Sequence, residues 1–128
     1  MLDVDVIGDA LPEDQVRRLC ALAAASAGVR DGHVAVEFVG AGRIAELNLE
    51  HRGKAGPTDV LSFPIDEGGP VHGPRELGDV VICPEHTADL EEAVVHGVLH
   101  LVGMDHEVDD GEMLAVQAEL LGRVRAAR

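Results

Sequence analysis

The sequence has no tryptophan and no tyrosine, and only two phenylalanines, Phe38 and Phe63. Any core built from it must be aliphatic, drawn from Val, Leu, Ile and Ala. Basic residues are scarce too: 10 Lys and Arg stand against 24 Asp and Glu, a formal net charge of -14. That balance excludes whole-surface, non-specific binding to nucleic acid, because neutralising phosphates needs cations. No apolar run is long enough to cross a bilayer, and no basic segment followed by an apolar one opens the chain, so a cytoplasmic protein with no membrane partner is expected. Cysteine is limited to Cys20 and Cys83, far apart and outside any CxxC pair. Both sit in apolar patterns, which predicts buried reduced thiols and neither a disulfide nor a metal site.

The 128 residues present are expected to form one domain over 1–128, enough chain to bury a single core. "LDVDVI" alternates, with Leu2, Val4 and Val6 on one face, and predicts a first strand. "PEDQVRRLCALAAASAG" follows with Pro12 at the first turn, two acids near the positive helix end, and Val16, Leu19, Cys20 and Ala23 at helical spacing up to a stop at Gly28. "HVAVEFV" alternates again; "GRIAELNLEHRG" reads as a short helix stopped at Gly53; "DVLSFPI" and "LGDVVIC" read as strands flanking a Gly/Pro-rich loop. A helix is predicted from about Pro84 to Val102, with Leu90, Val94, Val98 and Leu101 on its core face. Asp109 and Glu112 resemble a capping box, opening a last helix with Met113, Val116, Leu120 and Val124 on one side. The fold class expected is α+β: a single small mixed sheet of about four strands with helices packed on it.

The few cations are unevenly placed. Arg52 and Lys54 share "HRGK" shortly after Arg43, while Arg123, Arg125 and Arg128 crowd the C-terminus. The C-terminal group has two readings, cations complementing the negative end of the last helix or a contact with RNA. Arg52 reads on its own as a cap on the helix stopped at Gly53.

The seven histidines are more telling, because three fall in the apolar run "HGVLHLVGMDH", residues 96 to 106. His96 and His100, four apart on a helix, lie on one face with neighbouring Cβ atoms, off the core stripe. Gly103 can make the left-handed turn that returns His106 toward them at no steric cost. Three neutral imidazoles make a tetrahedral zinc site with its fourth position open, the pattern of catalytic zinc. Satisfied core histidines are the alternative, but that half of the helix offers no other polar partner. Helices of the H-E-x-x-H type carry a glutamate as general base at the second position; here Gly97 stands there, which disfavours a zinc peptidase. Asp105 could orient His106 or simply cap the loop. His33, His51, His72 and His86 show no comparable pattern and are expected to be solvated or in turns, with His51 set apart only by its neighbour Arg52.

The run "HGVLHLVGMDH" resembles the signature H-G-x-L-H-L-x-G-x-D-H of the YbeY family of bacterial zinc endoribonucleases at every fixed position. "LNLEHRGKAGPTDVLSFP" (47 to 64), "ELGDVVIC" (76 to 83) and "EM" (112 and 113) are similar to other parts of that family. The resemblance implies a metal-dependent, single-strand-specific endoribonuclease acting in ribosomal RNA maturation, at the small-subunit 3′ end, and in ribosome quality control. It implies one zinc per chain on His96, His100 and His106, with Arg52 as the arginine needed for activity. Its partners would be single-stranded and ribosomal RNA, with small-subunit ribosomal proteins, and no DNA. A guanidinium suits that role because it grips a phosphate through two parallel hydrogen bonds. Two departures bear on the RNA groove: His51 stands where many relatives have tyrosine, and the segment from Cys83 to His96 is shorter than usual. The rival from another class is a non-catalytic ribosome-assembly factor with a structural zinc.

Overall fold

The computed structural model describes residues 2–65 and 75–127. Four strands form one mixed sheet: β1 (Leu2–Ile7), β2 (Gly32–Phe38), β3 (Val60–Pro64) and β4 (Glu76–Ile82), in the order β1-β2-β4-β3. β1 and β4 both run parallel to β2, and β3 pairs antiparallel with β4. The alternation in β1 and β2 works as the sequence predicts. Val4 sits opposite Val34, and Val36 opposite Val80, so one sheet face becomes continuous aliphatic surface.

Three of the four helices cover that face. α1 (Glu13–Ser26) brings Val16, Leu19, Cys20 and Ala23; α3 (Leu90–Leu101) brings Val94, Val95, Val98 and Leu99; α4 (Glu112–Ala126) brings Met113, Leu120, Leu121 and Val124. α3 lies against β3, β4, α1 and α4 at once, and this central position is why it is apolar nearly all round. The fourth helix, α2 (Ala41–Arg52), packs on the other face and closes a smaller cluster of Ile44, Leu61, Val81 and Cys83. Both cysteines are free and buried. Among the described residues no helix is long and apolar enough to cross a membrane.

Three local expectations need correction. The helix expected from Pro84 starts six residues later: Pro84–His86 form a separate 3-10 turn, and α3 begins after Asp89, whose carboxylate accepts the Glu92 N–H at 3.1 Å. Acidic residues after a proline mimic a helix start, but Asp89 is the residue that satisfies the free N–H groups. The cap of α4 is Gly111, not Asp109. Asp109, two residues earlier, still serves the start of the helix, accepting from Gly111 N at 2.8 Å and Met113 N at 2.9 Å, while Glu112 accepts from Asp110 N at 2.7 Å. His33 is not in a turn, and its side chain is only 27% exposed. It lies on β2 with Nδ1 against Glu76 Oε1 at 2.8 Å and Nε2 against Asp5 Oδ2 at 2.8 Å, tying three strands together. Those carboxylates, Glu76 first, raise its pKa above the ordinary imidazole value. His72, Arg128 and most of the Gly/Pro-rich loop lie outside the described residues.

Candidate metal centre and cleft

α3 ends where the site begins. Val102 leaves the helix, and Gly103 takes φ +101° with its N–H on His100 O at 3.1 Å while Met104 N reaches Leu99 O at 3.0 Å. That left-handed turn folds the following loop back beside the helix, as the glycine spacing predicts. His106 thereby meets His96 and His100: the three ring centroids lie 4.8, 5.0 and 5.3 Å apart. One nitrogen from each ring falls within 4.8 Å of the other two, so the group could hold a metal ion.

Details of the cluster fit an ion. His96 Nε2 and His100 Nε2 face each other at 3.2 Å; two ligands at about 2.0–2.1 Å from a tetrahedral ion lie about 3.3 Å apart. His106 Nδ1 is shut off from solvent with no hydrogen-bond partner. Burial, followed by the neighbouring imidazoles of His96 and His106, pushes the pKa of His100 below the ordinary value, favouring the neutral form that can coordinate. His96 Nδ1 meets the Gln117 amide oxygen at 2.9 Å.

The absent glutamate acquires a physical reason. A Cβ on Gly97 would lie 2.5 Å from Val80 Cγ1, so this position of α3 is pressed against β4 and has no room for a side chain. Gly97 O also accepts the Ser62 hydroxyl at 3.1 Å, fastening edge strand β3 to the helix between its two histidines.

The cluster opens into a cleft of about 940 Å³. α2 contributes His51 and Arg52, β3 and its approach contribute Asp59 to Pro64, α3 contributes His96 and His100, and the following loop contributes Asp105, His106 and Glu107. Arg52, 44 positions before His96, thus enters the same cleft from the last turn of α2. Among the described residues it makes no ion pair, whereas Arg123 is engaged by Glu119 and Arg125 by Asp89 and Glu91. The cap after α2 is Gly53. Asp105 takes the loop role: its Oδ1 accepts from Glu107 N at 2.9 Å. His51 packs against Phe63, ring centroids 4.7 Å apart, on the cleft wall. Ser62, Phe63 and Gln117 were not singled out by the sequence; Gln117 carried a signal, as the one polar side chain on the stripe Met113, Leu120, Leu121 and Val124 that the helix buries.

Three histidines open to a cleft, on a helix lying over a mixed sheet, could hold a metal ion with a coordination position left open, the donor set hydrolytic zinc sites use. Comparison narrows the class: a family model described as Endoribonuclease YbeY matches residues 7–125, and the chain belongs to that family. It is similar to the Endoribonuclease YbeY of Rubrobacter xylanophilus, 43% identical over 124 residues covering 92% of this chain and 89% of the relative. It is also similar to that of Bacillus licheniformis, 35% identical over 153 residues covering 100% and 97%. The second alignment is longer than the 128-residue chain, so the relative carries segments this chain lacks. The solution structure of a protein from Thermotoga maritima matches 97% of this chain and 93% of its own, with TM-score 0.56 and 28% identity.

Proposed function

We propose that residues 1–128 act as one domain, a zinc-dependent, single-strand-specific endoribonuclease of the cytoplasm. Its substrate is ribosomal RNA, at the 3′ end of the small-subunit species, and its work serves ribosome maturation and quality control. The observation that carries this reading is the convergence on one cleft of His96, His100, His106 and Arg52, which makes no ion pair among the described residues, in a chain belonging to an endoribonuclease family.

His96, His100 and His106 would hold one zinc per chain. When bound there, zinc supplies Lewis acidity toward a phosphoryl oxygen. Arg52 binds the same phosphodiester through a bidentate grip and stabilises charge that builds on it during cleavage. Asp59, Asp105 and Glu107 also line the cleft and repel the backbone, so a phosphate would be held at Arg52 and the zinc, away from those carboxylates. A single strand would be admitted at the histidines through this cleft of about 940 Å³. The net charge of -14 complements basic small-subunit ribosomal proteins, which would help deliver the RNA.

Zinc-loaded protein is incubated with labelled single-stranded RNA, duplex RNA, the matching DNA and an unstructured polypeptide. Cleavage of single-stranded RNA alone, abolished by chelator, by His100→Ala and by Arg52→Ala, is the expected result. Cleavage unchanged in Arg52→Ala would remove that residue's role. RNA bound without cleavage by the wild type would hand the function to an assembly factor with a structural zinc.

A further inference from the structure

Gln117 is buried, only 8% exposed, although it sits on the apolar stripe of α4 where a leucine would pack. Burying an amide is unfavourable unless its polar atoms are bonded. The contact the structure gives it is to His96, with the Gln117 oxygen 2.9 Å from Nδ1. An amide oxygen accepts, so Nδ1 carries the proton, and in a neutral ring Nε2 is then left with its lone pair. That same Nε2 faces His100 at 3.2 Å, on the side where the three nitrogens converge.

We infer that Gln117 is a positioning residue for the metal site: it fixes the His96 tautomer and ring plane that present Nε2 to the ion. The inference rests on the metal reading above. Glutamine differs from the aspartate or glutamate that often backs a ligating histidine, because it orients the ring without adding negative charge. Three neutral imidazoles and a neutral amide leave the full double charge of a divalent cation for a phosphate. In so acidic a chain that choice matters. α4 contributes no residue to the cleft lining, yet through this bond its docking sets the geometry of a ligand on α3.

The test compares wild type, Gln117→Met and Gln117→Glu. Methionine keeps length and packing without an acceptor of comparable strength; glutamate keeps an accepting oxygen. Zinc affinity is measured by competition with a chromogenic chelator, and the His96 tautomer by long-range proton–nitrogen NMR on metal-free protein. Zinc affinity should fall about 10- to 100-fold in Gln117→Met and stay within a few-fold of wild type in Gln117→Glu. The His96 Nδ1–H signal should dominate in wild type and in Gln117→Glu and give way to a mixture in Gln117→Met. Wild-type affinity in Gln117→Met, or an Nε2–H tautomer in the wild type, overturns the inference. If wild type binds no zinc, the metal reading itself fails and this role falls with it. If Gln117→Met fails to fold, the wild-type tautomer and the Gln117→Glu affinity still decide.

Discussion

Replacing Gly97 by alanine tests whether the helix carrying two of the three histidines is truly wedged on the sheet. In an ordinary helix interior the change is stabilising by about 0.5–1 kcal/mol, since alanine loses less backbone freedom than glycine. Here the new methyl would meet Val80 Cγ1 at 2.5 Å, Cγ2 at 3.0 Å and Cβ at 3.3 Å. Carbon atoms prefer about 3.5–4.0 Å, so the shortfall is about 1 Å. Because both γ carbons and Cβ are close, turning the valine side chain offers no escape, and α3 must lift off β4. Over-packing of this kind costs about 1–3 kcal/mol, and at about 3–5 °C per kcal/mol for a chain of this size the melting temperature should drop by roughly 3–15 °C. Thermal unfolding with chelated and zinc-loaded protein measures it. The decisive control is Val80→Ala, which alone costs about 2 kcal/mol by leaving a void. In that background Gly97→Ala should turn neutral or stabilising, a coupling of about 1–3 kcal/mol between the two positions. A Gly97→Ala protein more stable than wild type, or equal penalties with and without Val80, would refute the wedge and with it the physical reason for the missing glutamate.

Stability should depend on pH through His33. Its folded pKa is raised above the unfolded value of about 6.5, so its contribution is fully present below that value and is lost as pH rises through the folded pKa. Urea midpoints in wild type and His33→Gln should therefore converge at high pH and separate at low pH, and an NMR titration placing His33 below 6.5 would contradict this. Asp109→Ala removes the acceptor for Gly111 N and Met113 N and should cost about 1 kcal/mol, read from denaturant unfolding; no loss would mean that water replaces it. Burial pushes the Cys20 thiol up to about 12, so a thiol-reactive dye at pH 8 should label it only as fast as the protein opens. Labelling at the rate of a free cysteine would show that α1 is not docked as described.

Local patterning carried most of the elements. Val4 and Val6, or Leu19 and Ala23, declare their faces because burial acts on each strand or helix with its own period. The histidine spacing worked for the same reason: His96, His100, Gly103 and His106 are near neighbours in sequence, and a helix plus one left-handed turn suffices to bring them together. What sequence could not show was set by distant partners. His33 is held by Asp5 and Glu76, 28 and 43 positions away, through sheet register that no single strand encodes. The start of α3 was misplaced because Glu85 after Pro84 imitates a first turn, whereas Asp89 makes the bond. The loss of a glutamate at Gly97 was visible, but Val80, the atom-level cause, lies on another element. Arg52 needed resemblance to be noticed, since α2 alone gives no hint that its last turn looks into the histidine cleft.

The strand order governs when the cleft can exist. β3 is synthesised before β4, its sheet partner among the described residues, and joins the rest of the sheet only through that strand. Until then the wall bearing Ser62 and Phe63 has nothing to pair with, and Ser62 has no helix to hold. Contacts of such long sequence separation close late, because chain entropy must be lost before they contribute. A nascent or partly unfolded chain can therefore own all three histidines and still have no cleft beside them, which confines the juxtaposition of histidine cluster and arginine to the completed fold.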